Sequence, residues 1–130
     1  MTTTFSALLA EVLAAPGADR FGHRQHVQLT WLAVDRLGPA AALELVDAGI
    51  REAARAGGAP GKYHATMTRA WLELVAHHAA ATRGEDFEDF LRAAPELLDK
   101  GLLNRFYSAE LLGSPAARAS WVAPDLAPLP

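Results

Sequence analysis

Two histidines lie near the start of a predicted amphipathic helix, in the segment FGHRQHVQLTW at residues 21–31. His23 and His26 are three positions apart, so a helix places both imidazoles on one side. Val27 and Val34 fall on the same face as His23, which favours burial of that face. Imidazoles at this spacing are within reach of a shared metal ion. The face therefore either binds a metal ion or another ligand, or buries two imidazole rings in the core.

A third histidine, His64, lies at the start of another predicted helix, in the segment GKYHATMTRAWLELVAHH. If short loops join successive helices, the second and fourth helices run parallel and their N-terminal ends lie at the same end of the bundle. His23, His26 and His64 then supply three nitrogens with an open fourth position, as in a catalytic metal site. This nitrogen-rich set suits Zn, Fe, Cu or Ni better than Mg or Ca.

A structural interpretation of the same histidines is also open. A core imidazole can donate its ring N–H to a backbone carbonyl or a threonine hydroxyl, and Thr30 and Thr68 are suitably spaced for this. In a metal-dependent site, Tyr63 and Thr68 are the candidates for catalytic assistance. Lys62 is a candidate anion anchor, and helix N-termini attract carboxylates and phosphates. The alternative for Tyr63 and Lys62 is a solvated helix start.

The composition is that of an ordinary globular domain. The 130 residues are 51% hydrophobic and 21% charged, with a net charge of −3, which indicates one domain with a sizeable core. Phosphate neutralisation needs clustered Lys and Arg, so nucleic-acid binding is disfavoured. Cysteine is absent, which excludes thiolate ligands and thiol nucleophiles. Neither a signal peptide nor an apolar run of roughly 20 residues is recognisable, and we expect a cytoplasmic protein without membrane contact.

Hydrophobic periodicity predicts an all-α fold, with one domain over residues 1–130 built from four main helices and shorter C-terminal ones. The predicted helices span residues 4–15, 22–37, 39–57, 62–82 and 85–94. Residues 95–130 form an irregular, proline-rich segment. Ser108 and Ser114 are predicted N-caps there. Trp121 and Leu126 are apolar, so we expect this tail to pack across the bundle.

Three segments together resemble a group of small bacterial helical proteins of uncharacterised activity. They are F-x-H-x-x-H, Y-H-x-T-x-T and a tail of the form Y-S…S-x-x-A-R…P-D, and the resemblance extends from residue 21 to residue 128. It implies that one recurring constellation comprises Phe21, His23, His26, Tyr63, His64, Thr66 and Thr68. It also implies that Arg118 and Asp125 in the tail are structural latches or polar groups of the pocket.

The leading functional hypothesis is a histidine-lined pocket that binds a transition metal through His23, His26 and His64. As an enzyme, such a protein would activate water or dioxygen, or polarise a small polar substrate. The alternative is a metal-free binding or regulatory protein that uses the same pocket for a small organic ligand. A third hypothesis is a structural or partner-interaction module. Apolar residues on several helix faces leave a homodimer open.

Overall fold

The fold is a helical bundle, seen in a computed structural model that describes residues 3–14, 21–82 and 86–130. The α-helices are α1 (Phe5–Leu13), α2 (His23–Leu37), α3 (Pro39–Ala56), α4 (Ala65–Ala81), α5 (Phe87–Ala93), α6 (Ala109–Leu112) and α7 (Pro115–Ala119). Short 3-10 helices span Pro60–Lys62, Pro95–Leu98 and Lys100–Arg105. No strand occurs in the described residues, so the predicted all-α fold is confirmed. None of the described helices is both long and apolar enough to cross a bilayer.

The helix boundaries follow local backbone chemistry. α2 and α3 are separated by Gly38 alone, at a φ of +82° that favours glycine. α4 begins three residues later than predicted, because Pro60–Lys62 forms its own 3-10 turn and His64 becomes the N-cap. The predicted end of the first helix at Ala15 and the predicted start of the fifth at Glu85 lie outside the described residues.

One hydrophobic cluster holds the N-terminal part of the bundle together. α2 lies centrally and packs against α1, α3 and α4. Leu8 of α1, Leu29 of α2 and Val46 of α3 are fully buried in this cluster. α1 approaches α3 so closely that a Cβ on Gly49 would lie 2.1 Å from the Phe5 ring. α1, α2 and α3 therefore pack around one shared apolar core.

A second cluster joins α4 to the C-terminal segment, residues 95–130. Tyr107 is fully buried there, and its hydroxyl donates to the Val122 carbonyl at 2.8 Å. Trp121 packs beneath the Arg69 guanidinium at 4.2 Å, as expected of an apolar anchor. The side chain of Leu126, by contrast, is 58% exposed, and this residue is held through its backbone N–H, which donates to the Phe106 carbonyl. The C-terminal segment therefore packs on the bundle as predicted.

Candidate functional site

A cavity of about 380 Å³ lies where the N-terminal ends of α2 and α4 meet. Its lining consists of Phe21, Gly22, His23, His26, Ile50, Lys62, His64, Met67, Thr68 and Trp71. The structure thus brings the three predicted histidines to one cavity, as the parallel course of the two helices predicts.

His64 has both ring nitrogens engaged in hydrogen bonds within the protein. Its Nδ1 accepts from the backbone N–H of Met67 at 3.0 Å and thereby caps α4. Its Nε2 lies 2.7 Å from the Leu112 carbonyl oxygen, and since a carbonyl only accepts, Nε2 carries the proton. The ring is therefore a neutral structural link between α4 and the C-terminal segment.

His23 has one nitrogen engaged and one available. Its Nε2 donates to the Leu97 carbonyl at 2.8 Å, and its ring meets the Trp71 indole edge-on, with centroids 4.6 Å apart. In the neutral ring this bond leaves Nδ1 as an acceptor. His23 therefore joins α2 to the C-terminal segment while keeping one lone pair for another partner.

Of the three cavity histidines, His26 has the most unused hydrogen-bonding capacity. Burial, and to a smaller extent electrostatic repulsion from His23, lower its pKa to about 4. The ring has no hydrogen-bond partner among the described residues and meets Phe21 edge-on at 6.4 Å. No fully buried side-chain nitrogen in the described part of the chain lacks a partner, so the His26 nitrogens keep access to solvent. At neutral pH this ring offers one donor and one acceptor to the cavity.

In this conformation the described residues contain no group of three or more His, Cys, Asp or Glu side chains that could hold a metal ion. For His64 the reason is visible, because a metal ion would have to displace either the Met67 N–H or the proton bonded to Leu112. The predicted three-histidine metal site stays a prediction, and it requires rearrangement of at least the His64 ring.

The two predicted catalytic residues have different surroundings. Thr68 lines the cavity, but its hydroxyl donates to the His64 carbonyl within α4 at 2.9 Å. Tyr63 is not among the cavity-lining residues; its hydroxyl donates to Asp47 and accepts from Arg51, whose guanidinium lies over the ring. Desolvation and the bond to Asp47 raise the pKa of Tyr63. A catalytic role for either residue stays a prediction.

Thr66 of the constellation and two residues of the tail, Arg118 and Asp125, fix the position of the C-terminal segment. Thr66 is fully buried, its hydroxyl lies 2.7 Å from the Ala117 carbonyl oxygen, and it accepts the Val122 N–H at 3.1 Å. Arg118 donates to the Gly61 carbonyl at 2.6 Å. Asp125 accepts from both the backbone N–H and the hydroxyl of Ser108, at 2.8 and 2.6 Å. Arg118 thus latches the C-terminal segment to the bundle, and Asp125 latches two parts of that segment to each other. A latch is one of the two roles that the resemblance implies.

The cavity is electrostatically distinct from the molecule as a whole. Lys62 lines it, no Asp or Glu does so in the described part of the chain, and the protein nevertheless has a net charge of −3. Phe21 and Met67 at the same cavity are 40% and 37% exposed, so its apolar wall is open to solvent. The site combines a cation, three imidazoles and accessible apolar surface.

Sequence reasoning missed some residues that complete this site. Ile50 of α3 fits the periodic apolar face predicted for that helix, but nothing in the pattern distinguishes a cavity wall from core. The carbonyls of Leu97 and Leu112, which fix His23 and His64, carry no side-chain signal at all. The parallel course of the second and fourth helices and the resemblance to the bacterial group are the two signals that predict a meeting of the histidine segments.

Comparison of the chain with protein-family models, with curated proteins and with solved structures finds no match.

Proposed function

We propose that this protein binds a small organic anion, without a metal ion, in the cavity between the starts of α2 and α4. The observation that carries the proposal is the pairing of Lys62 with the solvent-accessible His26 imidazole in a cavity lined by no carboxylate among the described residues. The volume of about 380 Å³ falls at the lower end of the range of roughly 300–1,000 Å³ for small-molecule pockets.

The lining suggests the chemistry of the ligand. Lys62 attracts a carboxylate or phosphate, and Trp71 with Met67 offers flat and adaptable apolar contact. His23 Nδ1 is an acceptor for a hydroxyl or amine on the ligand. A compact acid with an aromatic or aliphatic body matches these three requirements.

A titration with phenylacetate and its neutral analogue phenylacetamide tests the proposal. We expect saturable shifts of the His23 and His26 ring resonances with phenylacetate, and about fivefold weaker binding of the amide. Lys62→Gln should remove this preference, whereas Arg105→Gln, which removes an exposed charge outside the cavity, should preserve it. Absence of saturable shifts at both imidazoles, or equal binding of acid and amide, would contradict the proposal.

Transition-metal binding is a second candidate function, favoured by the environment of His23. Metal-binding imidazoles commonly donate their other N–H to a carbonyl or carboxylate, which fixes the ring and presents the lone pair. The bond from His23 to the Leu97 carbonyl is of this kind, and His26 is neutral and close by. Two histidine nitrogens plus ligand or water would complete such a site, while His64 keeps its structural bonds.

Metal content of untagged protein, after reconstitution with Zn, Fe, Cu or Ni, tests this second candidate. Near-stoichiometric metal that is lost in both His23→Ala and His26→Ala, with helicity retained, would support it. Loss in His64→Ala as well would favour the complete three-histidine set. Absence of bound metal after reconstitution would eliminate this candidate and leave the organic anion.

A further inference from the structure

A second cavity, of about 280 Å³, adjoins the first. Its lining consists of His23, Met67, Trp71, Lys100, Leu103, Asn104 and Leu112. Three of these residues, His23, Met67 and Trp71, also line the first cavity. The two spaces are therefore neighbouring compartments that share one wall, formed by these three residues, and the C-terminal segment completes the second compartment.

The shared wall offers more apolar than polar contact. Trp71 presents its indole, and Met67 is an unbranched, flexible side chain that is 37% exposed. His23 contributes only Nδ1 as a free polar atom, since its Nε2 is bonded to the Leu97 carbonyl. An apolar chain or ring that passes along this wall loses few hydrogen bonds with water.

Each compartment has one lysine, and these are the only two lysines of the chain. Asn104 adds an amide beside Lys100. No carboxylate lines either compartment in the described part of the chain. The carboxylate adjacent in sequence, Asp99, is turned to the backbone N–H of Gly101, which it accepts at 2.8 Å. The two lysines therefore line adjacent compartments that share the mainly apolar surface of Met67 and Trp71.

From this arrangement we propose that the ligand has a negatively charged group at each end of an apolar spacer, bound by Lys62 in one compartment and by Lys100 with Asn104 in the other. This inference rests on the proposed function, because it extends the same site. It narrows the ligand class from organic acids in general to two-headed acids, such as α,ω-dicarboxylates.

Calorimetric titration with the dicarboxylates from glutarate to sebacate, each paired with the monocarboxylate of equal carbon number, tests the inference. We expect one chain length at which the diacid binds about fivefold more tightly than its monoacid. Lys100→Gln should reduce the affinity for this diacid to that for the monoacid and leave monoacid binding intact. Lys62→Gln should weaken both, and Arg105→Gln, in the same 3-10 helix as Lys100, should weaken neither.

The outcomes separate this inference from the proposed function. Monoacid binding without a diacid advantage at any length, or a diacid advantage that survives Lys100→Gln, would overturn the two-headed ligand and leave the anion site standing. Failure of every mono- and dicarboxylate to bind would overturn the anion site itself and the inference with it.

Discussion

Two threonines on α4 illustrate how different the roles of similar buried side chains are in this protein. The Thr66 hydroxyl meets carbonyl oxygens of Ala117 and Ser120 and the N–H of Val122, all in the C-terminal segment. The Thr68 hydroxyl donates only to the His64 carbonyl, which also accepts the Thr68 N–H of the helix. Removing the first hydroxyl leaves distant buried groups without a partner, while removing the second does not.

We therefore expect Thr66→Val to lower the free energy of unfolding by roughly 1–3 kcal/mol, the cost of unsatisfied buried groups. Thr68→Val, its matched control in shape and burial, should cost less than about 1 kcal/mol. Urea unfolding followed by circular dichroism measures both. Equal costs for the two variants would show that the contacts of Thr66 with the C-terminal segment contribute nothing.

The depressed pKa of His26 makes stability depend on pH. The folded ring has a pKa of about 4 against an ordinary 6.5, so between these values the unfolded chain binds a proton that the folded chain does not. The contribution of the neutral His26 ring to the free energy of unfolding is complete above pH 6.5. As the pH falls towards 4 this contribution is lost, and the free energy of unfolding decreases by up to about 3 kcal/mol. Unfolding free energies across this range, compared with those of His26→Gln, measure it.

His77, which is exposed on α4, provides the control for that pH experiment. Between pH 4 and 6.5 the free energy of unfolding of His77→Gln should change with pH as steeply as that of the wild-type protein. In His26→Gln this pH dependence should be weaker. A slope that is unchanged in His26→Gln would assign the acid sensitivity to other groups.

At the scale of elements, the start of α4 is built by an unusual N-cap. Imidazole replaces the customary Ser, Thr, Asp or Asn at this position, and its second nitrogen reaches the Leu112 carbonyl at the end of α6. One ring thus accepts a hydrogen bond from a backbone N–H in the first turn of α4 and also joins α4 to α6 through Leu112, 48 positions along the chain. A conventional cap is too short to do both.

Substitutions at His64 can separate these two tasks. His64→Asn keeps a good N-cap for α4 but loses the bond to Leu112, whereas His64→Ala loses both. We expect both variants to be less stable than the wild type, with His64→Ala lower than His64→Asn by about 1 kcal/mol. Chemical denaturation gives the stabilities, and amide exchange at Met67 reports the cap. Identical stability and identical Met67 exchange in the two variants would contradict a capping role.

The helices could be predicted from the sequence where the periodic apolar positions agree with Gly and Pro at the helix boundaries. Gly38 with Pro39 separates α2 from α3 as predicted, and the parallel course of α2 and α4 brings His23 and His64 to one cavity. The predicted start of α4 at residue 62 is three residues too early, because the apolar pattern does not distinguish a 3-10 turn from the first turn of an α-helix. The C-terminal helices are so short that contacts with the bundle, rather than local propensity, stabilise them. Hydrogen-bond partners such as Leu97 leave no mark in the sequence, since they act through the backbone.

At the scale of the whole molecule, the two hydrophobic clusters share α4 and Trp31, and the C-terminal segment supplies much of one of them. We expect a single cooperative unfolding transition, in which tryptophan fluorescence and far-ultraviolet circular dichroism change together with urea. Trp71 and Trp121 report the cluster that includes the C-terminal segment, and circular dichroism reports the helices. A fluorescence transition at lower urea than the loss of helicity would show that this segment detaches first.

The hydrogen bonds from His23 to Leu97 and from His64 to Leu112 can form during synthesis only after these two leucines have been added to the chain. They join residues 74 and 48 positions apart, and Leu112 is itself a wall of the second cavity. A nascent chain that stops short of residue 112 has all three histidines but lacks a carbonyl that orients one of them. The two cavities are therefore complete only after residues up to Leu112 have been synthesised and have packed on the bundle.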